Sequence, residues 1–158
     1  MPRAKLDRTD LKIIDKLQEN GRITNVELAK HAGISAPPCL RRVRALEEKN
    51  VITGYHADID PAALGYGITV FVFVKLDSQK ESDLLEFEKL TKSWGMVREC
   101  HLISGETDFL LRVIAKDWDT FQSFLTGQVT AAENVNSVRT APMVRSAKML
   151  HGAPVATS

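Results

Sequence analysis

An α+β fold in two parts is predicted by three observations. Residues 24–49 read as two helices joined by a glycine turn, the second studded with arginine. Residues 68–76, ITVFVFVKL, give a strand signal that is apolar on both faces. After it, the apolar pattern switches between strand and helix period in the order strand, helix, strand, strand, helix, strand.

The elements follow in chain order. A first helix runs from about Asp7 to Asn20, with Leu11, Ile13, Ile14 and Leu17 as its apolar stripe, and Gly21 ends it. Thr24 caps a second helix, Asn25 to Ala32, and Glu27 three residues on completes a capping box. Gly33 supplies the left-handed residue that stops it. Ser35 is expected to cap a third helix, Ala36 to about Lys49, with Pro37 and Pro38 in a first turn that tolerates a missing N–H. Leu40, Val43 and Leu46 recur at intervals of three and are expected to face the core, leaving Arg41 and Arg44 outside. Val51 to Ile59 alternates around Gly54, which predicts a small hairpin or wing.

Two helices joined by so tight a turn, the second basic on its outer face, form a helix-turn-helix; the wing makes it a winged one. DNA is therefore the first partner to consider. The net charge of the 158 residues is only +1, but its distribution is uneven: residues 1–60 hold 11 Lys/Arg against 9 Asp/Glu, and the remainder 10 against 11. Between Ser35 and Ala45 lie Arg41, Arg42 and Arg44 and no acid, the local focusing that a DNA contact needs. Arg41 and Arg44 read as contacts to guanine or phosphate. Ser35, Ala36, Pro37 and Pro38 stand at the helix end that points at the groove in such folds. Arg42 has two readings, a DNA contact or a pair with a carboxylate such as Glu47 or Asp10. Cys39 reads as a small core residue.

Residues 60–67, with one Pro and two Gly, read as a linker between a DNA-binding domain (1–59) and a second domain (68–150). The second domain holds the strand at 68–76, a helix at about Ser82–Ser93, strands at about Val97–Ser104 and Asp108–Lys116, a helix at about Trp118–Thr130, and a strand from Val135 that can run past Pro142 to Met149. That order is a ferredoxin-like split βαββαβ unit, with helices on one face of an antiparallel sheet. Phe71 and Phe73 on the other face argue for a partner, so the domain is expected to dimerise. Residues 151–158 are expected to be a flexible tail.

Other classes are poorly served. Cys100, His101 and Asp108 lie close in sequence, but neighbours on a strand point to opposite faces, so a Cys–His nucleophile pair is geometrically poor. His31, His56 and His151 are too scattered for a metal site. No catalytic residue, metal or cofactor is predicted. No apolar run approaches the roughly 20 residues that span a bilayer. The opening MPRAKLDRTD lacks the apolar core of a signal peptide. Two cysteines imply no disulfide framework, and a cytoplasmic, nucleoid-associated location is expected.

Three blocks, LDRTDLKIIDKLQENGRITNVELAKHAGIS, PPCLRRVRALEEKNVITGYHADIDPAALG and VRECHLISGETDFLLRV, resemble in this order and spacing the leucine-responsive regulatory protein (Lrp/AsnC) family of bacterial and archaeal regulators. The likeness runs from Leu6 to about Met149. Asn50 departs from it, since many members have Gly there, but Asn tolerates the left-handed conformation. The resemblance implies an ACT-like (RAM) second domain that forms homodimers, commonly assembled into an octamer of four dimers, with an amino-acid effector between dimers. It places the recognition helix at Ser35–Leu46 and the effector loop at Ser104, Gly105, Glu106, Thr107 and Asp108, with Leu102 just before it. A glycine loop offers backbone N–H groups to a carboxylate and an acid holds an ammonium; alternatively Asp108 bonds its own turn. Leu102 and Met143 are the apolar lining that a leucine-like effector would want. The function so predicted is a sequence-specific, amino-acid-responsive transcription regulator, leucine being one candidate effector. An architectural DNA protein indifferent to small ligands is the alternative.

Overall fold

The computed structural model describes residues 5–156. They form two compact units, one of residues 5–58 with 148–156 and one of residues 59–147.

The first unit is built on three helices, α1 (Arg8–Glu19), α2 (Asn25–Ala32) and α3 (Ala36–Glu48). Capping boxes open the first two: Asp7 with Asp10, and Thr24 with Glu27, each side chain bonding the other residue's backbone N–H. Helix α1 stops at Asn20, not at Gly21. Asn20 is extended, and its side-chain oxygen accepts the Arg22 N–H in a turn of its own making. Gly33, at φ 74°, ends α2 in the left-handed conformation, and Asn50, at φ 53°, takes it after α3.

Ser35 occupies the N-cap of α3 but makes no capping hydrogen bond. A serine cap accepts from the second or third helical N–H. Those positions are Pro37 and Pro38, which have none, so the hydroxyl is left without a donor on its own helix. The core contains Ile13, Leu28, Ala29, Ala32, Cys39 and Leu46, with Val43 packed against it. Leu40 is outside it and 39% exposed, contrary to the sequence expectation. A helix turns about 100° per residue, so residues 40 and 46 stand about 120° apart whereas 39 and 46 nearly eclipse. The inward stripe is therefore Cys39, Val43, Leu46. Burial pushes the Cys39 thiol above its usual range, as befits a core residue.

The hairpin expected at 51–59 does not form among the described residues; the segment is irregular. The N–H groups of Val51 and Ile52 both bond Leu46 O at the end of α3, and both side chains pack on the helical core. Tyr55 donates to Glu47 at 2.9 Å. Partial burial, with Glu47 beside it, raises its phenol to about 12.

The second unit is a four-stranded antiparallel sheet of order β2-β3-β1-β4: β1 (Ile68–Leu76), β2 (Val97–Leu102), β3 (Phe109–Ala115) and β4 (Val135–Pro142). Helices α4 (Glu81–Ser93) and α5 (Trp118–Phe124) are the crossovers, and a π-type turn over Leu125–Val129 prolongs α5. This is the expected βαββαβ order. Strand β4 stops at Pro142, well short of Met149. The expected linker is ordered: Ala62–Leu64 make a 3-10 turn, and Gly67 donates to Lys116 O, so closely that a Cβ would lie 2.9 Å from that oxygen.

Alternate residues of the two central strands build the core. Val70, Val72, Val74 and Leu76 of β1 and Phe109, Leu111, Val113 and Ala115 of β3 are buried with Phe87, Trp94, Phe121, Phe124 and Val129. Trp94 packs edge-on to Phe87 at 5.8 Å and to Phe124 at 5.6 Å. Phe71, Phe73, Leu110 and Ile114 on the other face are only half-buried. Phe109 is the largest of the fully buried side chains. Phe109→Ala should destabilise this unit by about 3–5 kcal/mol. Urea unfolding followed by Trp94 fluorescence will measure it, and a loss below about 1 kcal/mol would contradict the packing described.

Candidate DNA-binding helix and effector loop

Helix α3 divides its arginines between two tasks. Pro37, Arg41 and Arg44 form one exposed stripe, and among the described residues neither arginine enters an ion pair. Exposed Ser35 extends this surface at the helix start, where Ala36 and Pro38 are half-buried. Leu40 joins the stripe. It was missed because it had been placed in the core, although the eclipsing of Cys39 with Leu46 was readable in the sequence. An outward leucine suits contact with a thymine methyl.

Arg42 is occupied elsewhere. Its Nη1 donates to Asp7 Oδ2 and to Asp10 Oδ1, both at 2.7 Å. Of its two readings, the geometry supports the carboxylate pair, with Asp10 as expected and Asp7 added. Glu47, the other acid considered, bonds Tyr55 instead. The Asp10 N–H of the capping box, then Arg42, hold the Asp7 carboxyl below its usual range, and the two aspartates push Arg42 up. The group therefore ties the start of α1 to α3 and fixes the angle at which the arginine stripe is presented.

The β2–β3 connection is the second site. Ile103 N–H bonds Asp108 O at 2.8 Å, closing a loop whose Ser104, Gly105 and Glu106 are exposed and whose Thr107 is half-buried. Gly105 has φ 139°, a region that L side chains rarely adopt. Leu102, 53% exposed, stands beside the loop.

The Asp108 side chain does not bond its own turn. It is 6% exposed, and its carboxylate reaches past its own turn to the β1–α4 corner. There Oδ2 accepts the Leu76 N–H and Oδ1 accepts Gln79 Nε2, each at 2.7 Å. Met143 is not brought to the loop. Its N–H bonds Thr69 O, whereas the Asp108 N–H bonds Val74 O, five residues further along β1. At strand rise that separation is about 17 Å, so within one chain the expected effector residues fall into two groups at opposite ends of the sheet.

Cys100 and His101 are divided as expected: Cys100 packs against the core, its thiol raised by burial, and His101 is exposed beside Glu99. Arg112 donates to that glutamate at 2.7 Å and is the main cause of its lowered pKa. No cluster of metal-ligating side chains occurs among the described residues, and no described helix is long and apolar enough to cross a membrane.

Asp108→Ala should destabilise the sheet unit by about 2–3 kcal/mol, because it leaves the buried Leu76 N–H unpaired. Glu106→Ala, on the exposed rim, should stay within about 0.5 kcal/mol. Equal effects in chemical denaturation would show that Asp108 is not the anchor of the loop.

Comparison with known proteins matches each unit to a family model. A winged helix-turn-helix DNA-binding model matches residues 6–53, and a model of the Lrp/AsnC ligand binding domain matches residues 69–151. A leucine-responsive regulatory protein of Rhizobium meliloti is 51% identical over 146 residues, covering 92% of this chain and 94% of its own. The Bkd operon transcriptional regulator of Pseudomonas aeruginosa is 40% identical, covering 96% of this chain and 98% of its own. Among solved structures, a transcriptional regulator of Neisseria meningitidis in complex with L-Met superposes with a TM-score of 0.90 at 31% identity, covering 95% of this chain and 97% of that one. With an exposed arginine stripe on one unit and a βαββαβ ligand-binding fold in the other, the chain belongs to the Lrp/AsnC family: it is a DNA-binding transcriptional regulator with a ligand-binding domain.

Proposed function

We propose that the chain is a sequence-specific regulator whose second unit senses an amino acid and controls how DNA-binding units are arrayed. One observation carries the DNA half: Arg41 and Arg44 point outward without an acid partner among the described residues, while Arg42 between them is held by two aspartates. A structural role would be expected to engage the outer pair as well. The freed Ser35 hydroxyl and Pro37 complete a helix start that can approach the groove closely, with Ala36 and Pro38 behind it.

The open face of the sheet supports assembly. Phe71, Phe73, Leu110 and Ile114 are half-buried there, and Arg139 lies over the Phe73 ring at 4.8 Å. A second copy on this face gives a homodimer, and dimers joined further give the octamer that we expect at the nucleoid. Met143 and the Leu102–Asp108 group, apart within a chain, can then share an effector only across copies. In that arrangement the loop N–H groups around Gly105 would hold the effector's carboxylate, and Leu102 and Met143 its side chain. The L-Met bound by the Neisseria relative and the leucine responsiveness of the Rhizobium one support an apolar amino acid. An effector shifts the array only through unequal affinity for its two arrangements.

Arg41→Ala and Arg44→Ala should each weaken operator binding by about 1–3 kcal/mol in gel shifts, with the oligomer mass by light scattering unchanged. A drop in that mass would make these arginines structural and sink the assignment. A thermal-shift screen against the twenty amino acids should show a higher melting temperature with one or a few, since a ligand of the native state stabilises it. DNA retardation and melting that are both indifferent to every amino acid would favour the architectural alternative.

A further inference from the structure

Residues 148–156 have no secondary structure of their own, yet they group with the three-helix unit. They close a groove formed by the C-terminal half of α1 (Ile14, Leu17, Gln18), by Gly21 and by the segment 51–56. Several features make this seat specific. Gly152 has a φ of 75°, and an added Cβ would run into the Gln18 side chain, so only glycine combines that backbone with that approach. Gln18 Oε1 accepts the Ala153 N–H at 2.6 Å. His151 Nε2 lies 3.2 Å from Asp58 Oδ1. Val155 is half-buried while its neighbours are exposed. The expected flexible tail is thus docked at residues 151–156; Thr157 and Ser158 lie outside the described residues.

We propose that residues 148–156 are a clasp that seats in the groove between α1 and the 51–58 segment of the DNA-binding unit and restrains it. The chain leaves this unit after Asp58 and rejoins it at Lys148, so the seated clasp gives the unit two covalent tethers to the effector unit instead of one. It also supports the segment that most needs support. Residues 53–58 belong to no helix or strand, and Asp58 is held by His151. A unit on two tethers samples fewer orientations than one on a single tether, so less ordering remains for DNA to impose.

Hydrogen exchange on the full chain tests the clasp, comparing the wild type with Gly152→Val and Gln18→Ala. Seated, it should protect Ala153 and slow exchange across 51–58. Placing a β-branched side chain in the left-handed conformation should speed both by roughly tenfold. Gln18→Ala should speed Ala153 while leaving the amides of Leu28 and Leu46, in the helical core, unchanged. Gln18→Ala removes only an acceptor, so it carries the test if Gly152→Val does not fold. An Ala153 amide that exchanges freely in the wild type, or at one rate in all three proteins, would overturn the proposal. So would protection that vanishes on dilution, because it would assign the seat to a second copy.

Discussion

The antiparallel pairing of β1 with β3 is the constraint on which the effector unit depends. Its register, from Ile68 opposite Ala115 to Val74 opposite Phe109, sets buried Val70, Val72 and Val74 across from buried Val113, Leu111 and Phe109. A slip of one residue would turn one strand's buried set to the open face, so the core permits only this register. The register in turn delivers Asp108 to the end of β1, where the next N–H to satisfy is that of Leu76. The β2–β3 loop attached at this point is fixed to the most deeply buried part of the unit. Its exposed residues, Ser104 to Glu106, are free to meet a ligand while Asp108 keeps their base rigid.

In the first unit the equivalent constraint is helical phase. Thirteen residues of α3 serve three neighbours at once. Cys39, Val43 and Leu46 face the core, Arg42 faces Asp7 and Asp10, and Pro37, Leu40, Arg41 and Arg44 face outward. The advance of about 100° per residue leaves no other assignment once Cys39 is inside. Two prolines in the first turn serve this surface in a second way. By deleting the N–H groups that Ser35 would cap, they keep its hydroxyl available at the end of the helix where a phosphate or base edge would arrive.

Most of the fold was legible because it rests on local chemistry. The capping box at Thr24, the turn at Gly33 and the nine residues of β1 are written in contiguous residues, and each stands where the pattern put it. Much of what was left open or misplaced turned on a partner distant in sequence. Arg42 could not be assigned without knowing that α1 brings Asp7 and Asp10 beside it, 35 and 32 residues away. Asp108 stood open between an effector contact and its own turn because its partners, Leu76 and Gln79, lie some 30 residues upstream. The tail looked free because its seat is 135 residues away at Gln18. Leu40 is the exception, an error of phase that the sequence itself could have prevented.

The electrostatics explain why such a unit would act in company. A net charge of +1 over 158 residues gives little long-range attraction to a polyanion, and the outer face of α3 offers only Arg41 and Arg44. Two cations neutralise few phosphates, and non-specific affinity scales with the number neutralised. The recognition helix of a single copy therefore offers few phosphate contacts. Linking copies makes the second contact intramolecular, at an effective concentration set by the distance and stiffness between units, and affinity rises without any new residue at the interface. It rises only when the spacing of the recognition helices matches the spacing of successive grooves. In the proposed assembly a small molecule at the sheet unit thus need not touch a recognition helix to alter DNA binding. Changing the spacing is enough, and the closer the weakly charged unit is to its affinity threshold, the smaller the change required.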